Sequence, residues 1–318
     1  MAECMDVMAE ALGALSAGRA IMPLRNLLWL PDREGGLVTM PSLLLDAGAM
    51  GLKVISVFPG NRGTAFDSHQ GAVLLFEVEH GRLLAIIDAT EITAIRTAAV
   101  SGVATRLLAR EDAEILAILG SGTQARTHLE AISVARPVRH VRVWSRSLEN
   151  ARRFAHREGR RLGLDIQAMP EAEEAVADAD VVCTTTSSRE PILRGAWLAP
   201  GTHVNAIGAV GPTTRELDTD AIAHSRLFVD RMDSAHNEAG EFVMAREEGA
   251  IGDDHIVAEL GDVVLGRAPG RTTPEEISVF RGLGLAVEDL AAARHIYRRA
   301  QETNAGTRVE LGGSRHED

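Results

Sequence analysis

Apolar positions change their period along this chain, and the changes divide it. At the start, Met5, Met8, Leu12 and Leu15 recur at helical spacing and predict an amphipathic helix packed on the body. Short β-rich runs follow: GLVTMPSLL, GLKVISVFP, AVLLFEVEH and LLAIIDAT, set apart by Gly, Pro or Asn turn signals. TEITAIRTAAVSGVATRLLA then has the length and alanine content of a helix, with Thr90 as its expected N-cap. Past Arg110 the periods alternate. EILAILG, VRHVRVWS, DIQAM, DVVCTTT, THVNAIG and SRLFVD read as strands, with helices QARTHLEAISV, LENARRFAHREGRRLG and EAEEAVADA among them. Such alternation predicts βαβ units and a mainly parallel sheet. From Glu275 onward the chain reads as helical, with FRGLGLAVEDLAAARHIYRRA as one long amphipathic run and GGSRHED as a solvated tail.

Composition narrows this. A chain of 318 residues exceeds a typical single domain. Its residues are 45% apolar but only 3% aromatic, so the core is built from Ala, Val, Leu and Ile, which suits α/β layering. The net charge of −12 opposes a nucleic-acid partner, which needs a basic face to displace counterions. Cys4 and Cys183 form no metal-ligand or redox spacing, and reduced thiols fit a cytoplasmic location. The first residues carry acids where a secretory peptide carries Lys or Arg. No run is long and apolar enough to span a bilayer, so no membrane partner is expected.

The sharpest motif is Gly120-Ser121-Gly122-Thr123-Gln124-Ala125, which matches G-x-G-x-x-G/A between a predicted strand and a predicted helix. Gly120 permits the tight turn, Gly122 lets backbone amides approach a pyrophosphate, and Ala125 lets the helix pack close. The pyrophosphate would sit on the helix N-terminus, with Thr123 and Gln124 in its first turn. The next strand ends in Trp144-Ser145-Arg146-Ser147, with no acid for the ribose hydroxyls. Arg146, flanked by Ser145 and Ser147, can instead match a 2′-phosphate, which favours NADP(H) over NAD(H); a solvated loop arginine is the other reading. Thr184, Thr185 and Thr186 end a Rossmann strand where an adenosine pocket would lie, though β-propensity alone also accounts for them.

These landmarks, in this order, resemble the ornithine cyclodeaminase and mu-crystallin family. The resemblance runs from about Pro23 to about Ala293: Pro23-Leu24-Arg25, Gly51-Leu52-Lys53-Val54, Arg96-Thr97-Ala98-Ala99-Val100-Ser101, GSGTQA, VNAIGAVGPTTRELD and VFRGLGLAVEDLAAA. It implies a homodimer. It also implies a strand-rich substrate-binding and dimerisation domain at 1–105, onto which 286–318 folds back, and a Rossmann dinucleotide-binding domain at 106–285. The substrate is then expected in the cleft between them, against the nicotinamide. By position, Arg25, Lys53 and Arg96 resemble the family's substrate-side cations, Thr97 a residue that positions the cofactor, and Leu283-Gly284 the segment beside the nicotinamide.

The residues agree physically. Cations in an acidic chain suit a small carboxylate, with arginine offering a bidentate fork. Lys53 lies in the apolar run GLKVISVF, where desolvation lowers an ammonium toward proton transfer. Ordinary salt bridges are the alternative for each.

The pattern departs from many cyclodeaminases and alanine dehydrogenases of the family at Gly208-Ala209-Val210, where valine replaces an aspartate thought to bind the substrate amine. With Trp144-Ser145-Arg146, this points to the ketimine-reductase branch. The expected activity is NAD(P)H-dependent reduction of a C=N bond in a small imino or cyclic ketimine carboxylate, with Lys53 catalytic. Ornithine cyclodeamination, alanine-type amino-acid dehydrogenation, and cofactor-holding binding without turnover are the other readings. Met22, Leu24, Met40 and Phe58 or their neighbours are expected to line the pocket. No metal site is assigned, since His69, His128, His224, His236 and His255 lack partners at ligand spacing. Glu238 and Glu241 are expected to face water or cap a helix. Glu288 and Asp289 are open between a structural and a catalytic role.

Overall fold

The structure, a computed structural model, describes residues 1–32, 34–61 and 64–310, so the GGSRHED tail lies outside the described residues. The chain runs through α1 (Ala2–Ser16), β1 (Ala20–Ile21), β2 (Asn26–Trp29), β3 (Gly36–Leu44), β4 (Ala49–Val57), β5 (His69–Glu77), β6 (Leu83–Asp88) and α2 (Ala89–Leu108). It continues with β7 (Ile115–Leu119), α3 (Thr123–Ala135), β8 (His140–Trp144), α4 (Leu148–Leu162), β9 (Ile166–Ala168), α5 (Ala172–Val176), β10 (Val181–Thr184) and β11 (His203–Ala206). Last come α6 (Thr219–Ala223), β12 (Arg226–Val229), α7 (Met232–Glu238), α8 (Gly240–Glu247), β13 (Ile256–Glu259), α9 (Leu260–Val264), β14 (Ser278–Arg281) and α10 (Ala286–Thr303).

Two compact units result: residues 14–96 with 285–318, and residues 1–13 with 97–284. Residues 97–105 and most of α1 group with the parallel sheet, where Met5, fully buried, packs on α2 at Gly102.

The first unit is an antiparallel sheet in the order β1-β3-β4-β5-β6, with β2 also paired to β3. Burial alternates along β3, so Val38, Met40, Ser42 and Leu44 face inward, as a half-covered sheet requires. The register places Lys53 of β4 between Met40 and Val73 on this inward face. Helix α10 packs across β3, β4 and β5. It comes so close at Gly51 that an added Cβ would meet Leu290 Cδ1 at 2.8 Å and the Leu74 carbonyl at 2.9 Å. Ser42 Oγ donates to the Ala286 carbonyl at 3.0 Å, fixing the start of the helix.

The second unit carries an eight-stranded, all-parallel sheet in the order β13-β12-β14-β11-β10-β7-β8-β9. Reading from β9 gives the doubly wound Rossmann order, and its direction reverses between β7 and β10. Central strands are buried on both faces, which explains their continuous Val, Ile and Ala runs.

Two expectations are corrected. The chain from Glu275 is not helical throughout: Ser278-Val279-Phe280-Arg281 is a wholly buried strand inserted between β11 and β12, and the helix starts only at Ala286. Thr90 is not the cap of α2. Asp88 Oδ1 accepts the amides of Thr90 at 2.9 Å and Glu91 at 3.2 Å, so the carboxylate at the strand end starts the helix.

Candidate active site

The turn from β7 into α3 has the shape an extended anion needs. Gly120 sits at φ +134°, a region open essentially to glycine, and a Cβ there would meet Thr185 Oγ1 at 2.5 Å. Gly122 caps α3 with no side-chain hydrogen bond, and nothing lies within 4 Å of where its Cβ would stand. The first turn, starting at Thr123 and Gln124, holds no acidic residue. A glycine N-cap, a positive helix end and open space beside Gly122 fit a dinucleotide pyrophosphate. Ala125 is fully buried, so the helix lies close to the sheet.

Beneath this turn, His128 joins α3 to α2. Its Nδ1 lies 2.8 Å from the Gln124 carbonyl and its Nε2 2.9 Å from Ser101 Oγ. A carbonyl only accepts, so Nδ1 carries the proton and Ser101 donates to Nε2. Burial pushes this imidazole down to about 4, and it stays neutral. Its role is to support the loop.

At the end of β8, Arg146 is exposed and makes no hydrogen bond or ion pair among the described residues. Ser121 Oγ donates to Ser145 Oγ at 3.0 Å, tying the glycine loop to this strand end. Ser147 is differently employed: its hydroxyl accepts the Asn150 amide and caps α4. Thr185 is half-buried against the glycine turn and donates to the Leu119 carbonyl at 3.2 Å. Thr184 is held to the sheet rather than open at its edge. It is fully buried and donates to Glu216 Oε2 at 2.9 Å.

Glu216, which carries no motif or spacing signal of its own, organises the strand ends. Its carboxylate accepts the Thr186 amide and hydroxyl, both at 2.6 Å, and the Gly208 amide at 2.7 Å, besides Thr184. Burial raises its pKa, and the Thr186 hydrogen bonds pull the other way. Its own amide donates to Glu241 Oε1 at 2.9 Å, and Glu241 Oε2 pairs with Arg281 Nε at 2.7 Å. Glu241 is thus 1% exposed rather than facing water, because the buried guanidinium of β14 requires a counter-ion. Arg281 also donates to the carbonyls of Ala206, Gly282 and Ala209. Asp230 accepts the amides of Leu283 at 2.6 Å and Gly284 at 2.8 Å, which fixes the segment after β14. Buried carboxylates thus hold the loops leaving β10, β11 and β14.

The first unit holds the cations. Of the 33 Lys and Arg residues in the chain, Lys53 is the one lysine, and it is 2% exposed. Lys53 Nζ donates to Asp289 Oδ1 at 3.0 Å, and Arg96 Nε donates to the same oxygen at 2.9 Å. Arg96 Nη1 reaches Glu288 Oε2 at 2.8 Å. The expected carboxylate fork of Arg96 is therefore partly committed to these two acids of α10. Burial lowers Lys53 to about 8; Asp289 opposes this, while Arg96 and Arg25 add to it. Burial would raise Asp289, but Arg96 and then Lys53 outweigh it and hold the carboxyl below its usual range.

Arg25, half-buried before β2, thus joins Lys53 and Arg96 electrostatically. Thr97 follows Arg96 on α2 and is half-buried. Met22 and Met40 are buried, Phe58 is half-buried and Leu24 is 43% exposed. Among the described residues, Glu77, Glu79 and His80 alone gather at metal-ligand spacing. The Glu77 carboxylate there accepts the amides of Glu79, His80 and Arg82, which closes a surface turn.

A doubly wound sheet with an open glycine turn at its first crossover defines a Rossmann-type dinucleotide-binding α/β protein. The chain belongs to the ornithine cyclodeaminase/mu-crystallin family, whose model matches residues 1–304. It is 40% identical to the ketimine reductase mu-crystallin of Mus musculus over 280 residues, covering 88% of this chain and 85% of that one. Its fold is similar to that of the Δ1-pyrroline-2-carboxylate reductase of Thermococcus litoralis, solved with NADH and L-proline. That comparison gives a TM-score of 0.94 at 38% identity over 96% of this chain and 95% of that one. An archaeal alanine dehydrogenase dimer with bound NAD gives a TM-score of 0.92 at 34% identity, over 98% and 94%. No helix among the described residues is long and apolar enough to cross a membrane.

Proposed function

We propose that this chain reduces the C=N bond of a small imino or cyclic ketimine carboxylate with a nicotinamide dinucleotide, NADPH being preferred. The observation that carries the reading is Lys53: a buried ammonium, lowered to about 8, set among arginines. An ammonium of that acidity is charged at neutral pH and still a competent proton donor. The kinship with a ketimine reductase and with a reductase solved with NADH and L-proline supports the same reaction.

Bound NAD(P)H would supply the hydride that adds to the imine carbon. Gly120, Gly122, Thr123 and Gln124 would hold its pyrophosphate on backbone amides. Arg25 would take the substrate carboxylate as a fork, and Arg96 would add positive potential while held by Glu288 and Asp289. Lys53 would pass its proton to the substrate nitrogen and be left as the neutral amine, completing C–H and N–H from C=N. Val210 is 47% exposed where the resemblance implies an aspartate in many cyclodeaminases and alanine dehydrogenases, and valine offers no carboxylate to bind a cationic amine. That favours imine reduction over cyclodeamination of ornithine.

The test is NADPH and NADH oxidation at 340 nm with a panel of cyclic ketimine carboxylates and of 2-oxo acids plus amines. Turnover with a ketimine carboxylate is the expected outcome. Conversion of ornithine to proline without net cofactor change, or tight cofactor binding without turnover, would replace this reading. In the same assay Arg146→Glu should raise the KM for NADPH by at least about tenfold, from lost and reversed charge at a 2′-phosphate. KM for NADH should barely move. Equal effects on both cofactors would remove Arg146 from the 2′-phosphate role.

We also propose a homodimer through the outward face of the antiparallel sheet. By register, Leu28, Leu37, Leu52, Leu74 and Ile86 share that face, with Leu28 69% and Ile86 58% exposed. A contiguous apolar face of this kind requires a cover. Light scattering on the eluting protein should give twice the chain mass, and Leu37→Asp with Ile86→Asp should give the monomer. A monomeric parent protein would overturn this.

A further inference from the structure

Asp289 enters no step proposed so far, yet it is fully buried and takes both Lys53 Nζ and Arg96 Nε on one oxygen, Oδ1. Its other oxygen, Oδ2, is buried and meets no donor among the described residues. Two cations drawn to a single carboxylate oxygen are held at a fixed spacing, and the carboxylate depends on those two for its hydrogen bonds.

We propose that Asp289 is the positioning residue of this centre: it clamps Lys53 against Arg96 and keeps Lys53 charged as the proton donor. The donor role of Lys53 rests on the reductase reading above; the clamp itself does not. Three features of the chain support it.

First, the chemistry demands a lysine. Every other basic residue of this kind in the chain is an arginine, and a guanidinium does not release its proton at physiological pH. Second, such a lysine needs a partner. A buried ammonium tends to lose its proton, and Arg96 and Arg25 press it the same way. From the elements around it, α10 contributes Asp289, α2 contributes Arg96, the segment before β2 contributes Arg25, and β5 contributes His69. His69, exposed at the start of β5, is held below its ordinary value by partial desolvation and then the charge of Lys53, so at neutral pH it adds little positive charge. Asp289 is the group in this set that favours the charged lysine. Third, the scaffold is fixed. Ser42 and Leu290 pin the first turns of α10 to β3 and β4, so the carboxylate is placed by a packed helix rather than a loop.

The single lysine makes the clamp directly measurable. Full-length protein grown with ¹³Cε-lysine gives one side-chain methylene signal, and its pH titration reports Lys53 without any assay of turnover. The parent signal should titrate near 8. In Asp289→Asn the midpoint should fall by at least about one pH unit, the effect expected for losing an opposite charge at contact distance. In Arg96→Gln it should rise, because a repelling charge is gone and Oδ1 is left to Lys53 alone. Asp289→Glu should restore part of the parent midpoint. The alkaline limb of kcat/KM for ketimine reduction should track the signal in the Asp289→Asn protein.

An unmoved lysine midpoint in folded Asp289→Asn overturns the clamp. If that variant does not fold, an unmoved or lowered midpoint in Arg96→Gln overturns it instead. A midpoint that moves while the kcat/KM limb stays put keeps the clamp and removes Lys53 as the proton donor, so the two readings fail separately.

Discussion

Lys53→Ala should lower kcat/KM for ketimine reduction by about 10²–10⁴, the contribution typical of a positioned general acid. Cofactor affinity, read by quenching of protein fluorescence, should hardly change, because the glycine turn belongs to the other unit. Lys53→Arg should not restore the rate. It keeps the charge against Asp289 but offers a donor that stays protonated at working pH. The parent enzyme should carry the matching pH signature. Its lysine titrates at about 8, below the ordinary 10.5, and the donor must be charged. The rate should therefore be level below pH 8 and fall above it. A Lys53→Ala enzyme within fivefold of the parent, or a rate rising through pH 8, would remove Lys53 from the chemistry.

The second large effect concerns stability. Arg281→Met should destabilise the protein by about 3–5 kcal/mol, since it strands Glu241 as an uncompensated buried charge. It also takes the donor from the carbonyls of Ala206, Ala209 and Gly282. Calorimetry should show Tm lower by roughly 10 °C for a chain of this size. Adding Glu241→Leu should recover part of the loss, because removing both members of a buried pair costs less than removing one. A Tm within two degrees of the parent for the single variant would mean that water reaches Glu241 and the pair is not isolated.

The features legible in the sequence follow from local signals. The βαβ series and the glycine turn were legible because strand, turn and helix are contiguous, and each glycine answers a backbone requirement at its own position. Strand β14 was not. Ser278-Val279-Phe280-Arg281 is too short for a period, and its arginine argues for a surface until the counter-ion from α8 is seen. Asp289 stayed ambiguous for a related reason. All eight residues from Ala286 to Ala293 are buried, so no polar face marks its orientation, and its partners lie 236 and 193 residues earlier. Glu216 and Glu241 carry no local signal because their donors, backbone amides, threonine hydroxyls and the Arg281 guanidinium, come from distant parts of the chain. Long-range electrostatics leaves little trace in spacing, whereas turns and periods leave a clear one.

The burial of the chain's one lysine also makes the protein its own chemical probe. A reagent that acylates amines finds the α-amino group, which peptide mapping separates, and otherwise only Lys53. Its uptake at that position reports how open the cation cluster is and how much of Lys53 is neutral. Substrate or cofactor occupancy could therefore be followed as protection of a single residue, with no engineered label and no competing lysine elsewhere on the surface.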